Sequence, residues 1–504
     1  MNMKGINIFV LGITFLLLCG CDDFLEEKSQ DEVRPSTVTD MEKILEGEAY
    51  FNKTEGFMFN FGTDVLSDNI KCNAVDDDRN ERKKQQAPRF RWERDMFDES
   101  CGYEDLSFWK VPYERIKGCN LVIEYAPKMN GDETKRNHLI GEAYALRGFY
   151  YMFLVNCFSL PYNYGDPTTN LGVPLKLASG VTEELFKRNS VAEVYQQIER
   201  DLLKGAELME ENKMNFYFTR LNAAASYALL VRMYVYMGDW DNVLKYADKV
   251  LDMKPDLLNL QEQQTSLWSS YSVYVNTCST EILWGMLWDA ENSYTTWGNR
   301  WPYSPSEELI AVFQRDLNEG NVDMRGDWQN TNNGYLKGGD VRDHHTGSYV
   351  SMCTWVDKGR ASDPSYNGGI RVAEMYIDRA EAYCRKYLES GNRADAENAL
   401  KDLNKLRRNR FYEGYMDKEL VDFTDAQDLL DFCLRERRRE LCGEANHRWF
   451  DLKRLGMPEI KHVFIDNATN EGIEYILYKE DRRYVLPIPR KVLERNTSLV
   501  QNQY

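Results

Sequence analysis

Three stretches of the chain repeat one arrangement of apolar and polar positions. Ala143, Leu146, Tyr150, Phe153, Leu154 and Cys157 fall on one face of a 3.6-residue period. Tyr227, Leu230, Val231 and Tyr234 do the same; a turn at Gly238-Asp239 follows, and Val243, Ala247, Val250 and Leu251 resume the period. The third stretch places Ala373, Tyr376, Ile377, Ala380 and Cys384 on one face. It turns at Gly391 and continues through Ala396, Ala399, Leu400, Leu403 and Leu406. Small alanines beside large aromatics let antiparallel helices approach closely, which predicts tetratricopeptide-like helix pairs. Yet Ala143 and Ala223 are 80 residues apart, and Ala223 and Ala373 are 150 apart. A tandem array would recur every ~34 residues. The pattern therefore predicts a mostly α fold in which helix pairs form a scaffold, at about 100–255 and 366–460. Long loop-rich insertions with a few short strands occupy about 53–99 and 256–365, one strand being Ile282 to Trp288.

The N-terminus has a different pattern. Lys4 precedes an apolar run of 13 residues, Ile6 to Leu18, the length of a secretory h-region and short of a membrane-crossing helix. Leu18-Cys19-Gly20-Cys21 follows and resembles a bacterial lipobox, so residues 1–20 are expected to be a signal peptide. Cys21 is then the lipidated residue, and 21–504 a single domain. Several acyl chains together make a stable anchor where one is marginal. Asp22, Asp23, Glu26 and Glu27 come next, resembling the surface-export signal of Bacteroidetes lipoproteins.

Composition narrows the function. A net charge of −18 disfavours a nucleic-acid partner, because binding would gather like charge instead of releasing counterions. Aromatic residues at 13% argue against disorder. Cysteines after position 21 number nine, with no CxxC spacing; Cys157 and Cys384 continue apolar helical faces and read as buried hydrophobes, while Cys72 and Cys101 could form a bridge.

The most charged motif is Leu434 to Gly456, LRERRRELCGEANHRWFDLKRLG. Glu436, Glu440 and Glu444 recur every four residues with arginines one turn away. They could be a catalytic carboxylate pair or a ladder of ion pairs fastening a helix whose Leu434 and Leu441 face the core. Guanidinium groups within reach of each carboxylate lower its pKa and suit it poorly to general-acid work, which favours the ladder. His447 is expected to hydrogen-bond locally. His344-His345 would point to opposite faces of a strand, and Asp76-Asp77-Asp78 reads as a solvated loop, so no metal is expected. No P-loop, GxGxxG, GxSxG or HExxH pattern occurs, and no cofactor is expected.

That charged motif resembles the C-terminal signature of the SusD/RagB family of outer-membrane nutrient-binding lipoproteins. Gly141 to Phe158 (GEAYALRGFYYMFLVNCF) with Pro161, Thr219 to Trp240 (TRLNAAASYALLVRMYVYMGDW), Arg371 to Tyr383 (RVAEMYIDRAEAY) with Asn404 to Arg407, and Tyr484 to Tyr504 resemble its other segments in order. Only Thr497 and Gln503, in the tail, depart from the pattern. The resemblance implies a tetratricopeptide-like fold, a place on the outer face of the outer membrane, and a SusC-type TonB-dependent transporter as partner. It also implies a non-catalytic role in which an oligosaccharide, or less often a peptide, is captured.

Glycans present apolar C–H faces and a fringe of hydroxyls, so their sites need flat aromatic rings with polar side chains beside them. Trp268, Trp284, Trp288, Trp297 and Trp301 crowd into 34 residues. Trp284 and Trp288 share a strand face and are expected to face the core, whereas Tyr294, Trp297 and Trp301 lie in a polar loop and are the candidate platform. The resemblance adds an early loop, matched here by Asp68 to Trp92: Arg91 and Trp92 are further candidates, with Asp68 or Asn69 as hydroxyl partners. A surface glycoside hydrolase is the remaining function class, though no carboxylate is singled out by an apolar, unpaired setting.

Overall fold

The computed structural model describes residues 35–74, 80–180, 182–215, 217–263, 280–287, 302–314, 321–327, 335–342, 349–356, 366–466, 469 and 471–504. The described chain opens with α1 (Val38–Ile44), prolonged by a π turn at Leu45–Ala49, then α2 (Lys53–Phe61), β1 (Ile70–Cys72) and α3 (Asn80–Phe90). The first block of scaffold follows: α4 (Ser107–Tyr125), α5 (Glu133–Phe158), α6 (Val191–Glu211), α7 (Ala223–Met237) and α8 (Trp240–Met253). The insertion supplies β2 (Ile282–Leu287), β3 (Tyr303–Pro305), α9 (Glu307–Gln314), β4 (Leu336–Arg342), β5 (Tyr349–Val356) and β6 (Tyr366–Arg371). The chain closes with α10 (Val372–Ser390), α11 (Arg393–Arg408), α12 (Ala426–Leu441), α13 (His447–Arg454), β7 (Ile460–Ile465), β8 (Gly472–Leu477) and α14 (Arg490–Arg495).

Local chemistry sets the helix ends. Ser190 and Glu193 form a reciprocal capping box at the start of α6, and Asn222 and Asp239 accept from the first-turn N–H groups of α7 and α8. Gly238 and Gly391 take the left-handed conformation, at φ 77° and 69°, and turn α7 into α8 and α10 into α11. The apolar faces anticipated for these helices are buried throughout. Cys157 and Cys384 are fully buried among them, as their positions on those faces require. α5 is buried on more than one face, because α4 and α6 cover it from two sides. Gly205 of α6 sits so close to α5 that a Cβ there would lie 2.7 Å from the Gly141 carbonyl oxygen.

The structure adds elements that the apolar pattern does not announce. Within 53–99 the chain forms α2 and α3 as well as loop. α3 is polar along most of its length (NERKKQQAPRF) and so carries little apolar periodicity. β7 and β8 form an antiparallel hairpin after the last scaffold helices. Cys72 and Cys101 are both free, which corrects the possible bridge: Cys72 is buried beside β3, and the Cys101 thiol turns to Glu93 and Asp95.

The charged motif is core structure. Glu436 and Glu440 project from α12 into a fully buried site. Arg325 bonds to Asp323 at 2.6 Å, to Glu436 at 2.6 Å and to Glu440 at 2.9 Å. Arg407 and Arg439 complete Glu436, at 2.6 and 2.9 Å. Arg371 reaches Glu281 and Glu440, each at 2.7 Å, and Glu444 at 2.5 Å. Arg410 bridges Glu281 at 2.9 Å and Glu440 at 3.0 Å, and the Tyr335 hydroxyl donates to Glu440 at 3.0 Å. Among the described residues, Arg325, Arg371, Arg407, Arg410 and Arg439 thus face Asp323, Glu281, Glu436, Glu440 and Glu444. Burial alone would raise the Glu440 pKa, but Arg410, Arg371 and Arg325 hold it well below the usual carboxylate range. A carboxylate so held cannot act as a general acid near neutral pH. Leu441 is buried and Leu434 packs half-buried against the cluster of α10, α11 and α12. His447 keeps local partners, with Nε2 3.6 Å from Glu374 and Nδ1 3.3 Å from Arg437.

Glu440→Ala would leave Arg371 and Arg410 short of a buried counter-charge. The expected loss is about 3–5 kcal/mol, read as a fall in the urea midpoint with an unchanged slope. Glu440→Gln, which keeps the volume, is expected to lose nearly as much, because the missing charge and not the cavity dominates.

Candidate functional site

β1 and β3 pair antiparallel, with Ile70 opposite Pro305, Lys71 opposite Ser304 and Cys72 opposite Tyr303. The contact is extended at both ends. The Asn73 amide donates to the Pro302 carbonyl at 2.8 Å, and Asn73 Nδ2 donates to Ser304 Oγ at 3.0 Å. The Ser306 amide donates to the Asn69 carbonyl at 2.8 Å and its hydroxyl to the Asp68 carbonyl at 2.6 Å. The early loop and the chain immediately after Trp301 are therefore one piece of structure. At the other end, β2 pairs with β6 and fixes Leu287 opposite Tyr366. Tyr294, Trp297 and Trp301 lie between these roots, outside the described residues, as does Trp288. Trp284 is buried against Phe51 and Phe149, as its strand face requires.

The early-loop candidates separate into two kinds. Trp92 is a core residue and not a platform, because its ring is 1% exposed. Its indole N–H donates to the Leu66 carbonyl at 3.0 Å, and its ring stacks on His462 at 4.1 Å, with Phe90 stacked on the opposite side of that imidazole. Asn69 is also buried: Oδ1 accepts from Arg438 Nε at 2.8 Å, and Nδ2 has no hydrogen-bond partner among the described residues. Asp68 is half-buried, and its carboxylate is taken by Arg448 at 2.7 and 2.6 Å, with Arg438 at 3.4 Å. Burial pushes its pKa up, but Arg448 and Arg438 more than offset this and hold it at about 2. Arg91 keeps a quarter of its side chain exposed, paired with Glu93 at 2.7 Å and lying over Phe464. Arg91 is the early-loop candidate that still presents its side chain to solvent.

Sequence reasoning missed a cleft of about 240 Å³ lined by Glu46, Tyr50, Phe51, Thr219, Arg220, Trp284 and Gly285. Its residues come from three distant stretches, and Thr219-Arg220 was absorbed into a motif that reads as scaffold. Arg220 is its hub. Nε and Nη2 bond to Glu142 at 2.9 and 2.7 Å, and Nη1 reaches Glu42 at 3.1 Å and Glu46 at 3.2 Å. The Tyr50 hydroxyl donates to Glu142 and accepts from the Leu221 amide at 2.9 Å.

Among the described residues, Glu93, Asp95 and Cys101 are grouped closely enough to share an ion. The thiol donates to Glu93 at 3.1 Å and to Asp95 at 3.2 Å, and burial together with these carboxylates drives its pKa up. Metal-binding cysteines are thiolates, so this arrangement is a hydrogen-bonded turn.

Tetratricopeptide-like pairs holding strand-rooted, aromatic-bearing insertions define the class of fold. Two family models match: one described as starch-binding associating with outer membrane, over residues 23–235, and one described as the SusD family, over 280–504. The chain belongs to the SusD/RagB family. It is 24% identical to SusD-like protein P2 of Formosa agariphila, the alignment covering 97% of each chain. A solved protein of Bacteroides vulgatus matches with a TM-score of 0.69 at 23% identity, over 94% of this chain and 99% of that one. A SusD-like carbohydrate binding protein of the same organism matches with a TM-score of 0.65 at 20% identity, over 92% and 97%. No described helix is long and apolar enough to cross a membrane.

Asp68 gives the early loop a pH signature. Its folded pKa of about 2 lies below the 3.8 of an ordinary aspartate, so its stabilisation is full above pH 3.8 and is lost as pH falls through 2. The contribution is on the order of 2 kcal/mol. Asp68→Asn is expected to lower stability by that amount at pH 7 and to flatten this acid limb in urea unfolding measured between pH 2 and 7.

Proposed function

We propose that this chain is a cell-surface lipoprotein, acylated at Cys21, that captures an oligosaccharide and passes it to a SusC-type TonB-dependent barrel. Tyr294, Trp297 and Trp301 form its sugar platform, and Arg91 is a further ligand contact. The observation that carries this reading is the β1–β3 ladder. It makes the early loop and the segment ending at Trp301 leave one edge of structure, so side chains from both can address one ligand. The family's description, the carbohydrate-binding relative of like fold, and the loop placement of the aromatics support the ligand class. The acidic balance of the chain favours a neutral glycan over an anionic one. Capture without chemistry agrees with the charged motif, whose carboxylates are committed to arginines.

Stacking on one exposed ring contributes on the order of 1 kcal/mol beyond area burial, so a group of rings matters far more than one. Replacing Tyr294, Trp297 and Trp301 together by alanine is expected to weaken oligosaccharide binding by roughly two orders of magnitude, with helical circular dichroism and melting point nearly unchanged. A glycan and peptide array identifies the ligand. Binding to peptides alone would replace the glycan reading with the peptide-binding one, and new reducing ends released from polysaccharides would replace capture with hydrolysis.

Cys21→Ala is expected to abolish recovery of the chain in the outer-membrane fraction, leaving it soluble or as precursor. Full recovery with the membrane would remove the lipid anchor from this account.

A further inference from the structure

The cleft at Arg220 has the lining of a sugar subsite, and that lining includes none of the three platform residues. Its first wall is the π turn Leu45–Ala49, in which the Tyr50 amide donates to the Leu45 carbonyl at 2.9 Å, five residues back. Such turns are rare and concentrate at functional sites. Here the turn supplies Glu46 and delivers the chain into Tyr50 and Phe51, which line the same cleft. The second wall is the α6–α7 loop with Thr219 and Arg220, and the floor is the first half of β2. The walls are tied together: the Gly285 amide donates to the Phe218 carbonyl at 2.6 Å, and Asn222 Nδ2 donates to the Leu283 carbonyl at 2.8 Å.

The chemistry left uncommitted is that of a polyol site. Phe51 is half-buried and packs 5.9 Å from the buried Trp284 ring, giving an aromatic wall. The Thr219 hydroxyl has no hydrogen-bond partner among the described residues. Glu46 gives only Oε1 to Arg220, at 3.2 Å, and remains mostly exposed. A hydroxyl that donates and accepts, a free carboxylate oxygen and an apolar ring are what one sugar residue needs. A volume of about 240 Å³ lies below that of drug-sized pockets and suits one ring, not a chain.

Charge sets the selectivity. Arg220 is bonded to Glu42, Glu46 and Glu142, Lys135 pairs with Glu42 at 2.6 Å, and His138 Nε2 lies 3.6 Å from Glu142, so among the described residues three carboxylates face two permanent cations and one imidazole. A uronate or a sulfated sugar would bring a negative group against this surplus. We infer that the cleft between the π turn, Thr219-Arg220 and β2 is a second binding site for a single neutral sugar residue and discriminates against acidic sugars; this rests on the glycan-binding reading above. β2 connects the two sites: Trp284 lines the cleft, and the segment bearing the platform begins after Leu287.

The test is ligand-observed NMR titration of the full chain in detergent. Probes are the methyl glycosides of glucose, galactose and mannose, with glucuronate as the acidic counterpart. At least one methyl hexoside is expected to bind saturably, with glucuronate at least about tenfold weaker. Thr219→Val, which keeps the shape, and Glu46→Gln, at an exposed position, are each expected to weaken the hexoside by about 3- to 10-fold. Glu46→Gln also narrows the discrimination against glucuronate. The titrations are repeated in the chain with alanine at Tyr294, Trp297 and Trp301, so that the hexoside binding that remains reports the cleft and not the platform. Hexoside binding indifferent to the cleft substitutions, or glucuronate binding as tight as hexoside, overturns the inference. Failure of every hexoside while an oligosaccharide still binds removes the cleft site and leaves the glycan-binding reading standing. Failure of both classes removes the two together.

Discussion

The structure depends on arginines and carboxylates that are out of water and held against one another. Moving any one of these ions from water into a protein interior costs several kcal/mol, which only close, multiply bonded partners can offset. The lattice around Glu436 and Glu440 meets that condition by drawing partners from many parts of the chain. Asp323, Arg325 and Tyr335 come from the insertion, Glu281 precedes β2 and Arg371 ends β6, Arg407 comes from the end of α11, and Arg410 lies just past it. An ion pair within one helix would stabilise that helix alone. This lattice is assembled only when insertion and scaffold are both in place, so it couples their folding. A second set does the same for the scaffold itself: Arg437 joins Asp378 and Asp451, Arg454 joins Glu381, and Arg232 joins Glu374.

What the lattice fastens is the root of the insertion. Glu281 directly precedes β2 and Arg371 ends β6, so the ladder through which the aromatic segment enters is pinned by charge on both strands. The return end is pinned differently, by the β1–β3 ladder and by Arg438 and Arg448 on Asp68 and Asn69. Those two arginines belong to the same charged motif as Glu436 and Glu440. One motif therefore holds the helical core with its carboxylates and the early loop with its outer guanidinium groups. A site built on such roots can vary its loop side chains without disturbing the fold.

Legibility in the sequence follows from which residues are periodic. The faces of α5, α7, α8, α10 and α11 were readable because alanines, aromatics and leucines recur at the helical period, and every residue named on them is buried. The structural reading of Glu436 and Glu440 was likewise available from arginine spacing, though not the partners Arg325, Arg371 and Arg410, which come from 30 to 115 residues away. α3 was hidden by its polarity. Trp92 shows the limit in the other direction: a tryptophan in a charged loop looks exposed until His462, from a hairpin hundreds of residues later, is seen stacked on it. The cleft was invisible for a related reason, since residues near 50, 220 and 284 converge only through the fold.

The same arrangement explains why the family's motifs are silent about the ligand. A motif recurs where a change is costly, and here the costly positions are buried charges whose loss leaves a partner uncompensated. Ligand contacts at an exposed ring or a rim hydroxyl carry about 1 kcal/mol each and leave nothing buried and unpaired when they change. Arg220 stands between these two cases. Its pairing with the buried Glu142 is scaffold, while its contact with the exposed Glu46 is rim. A residue of this kind fixes the position of a cleft while its neighbours Thr219 and Glu46 set what enters, and such hubs mark where a scaffold motif borders a site.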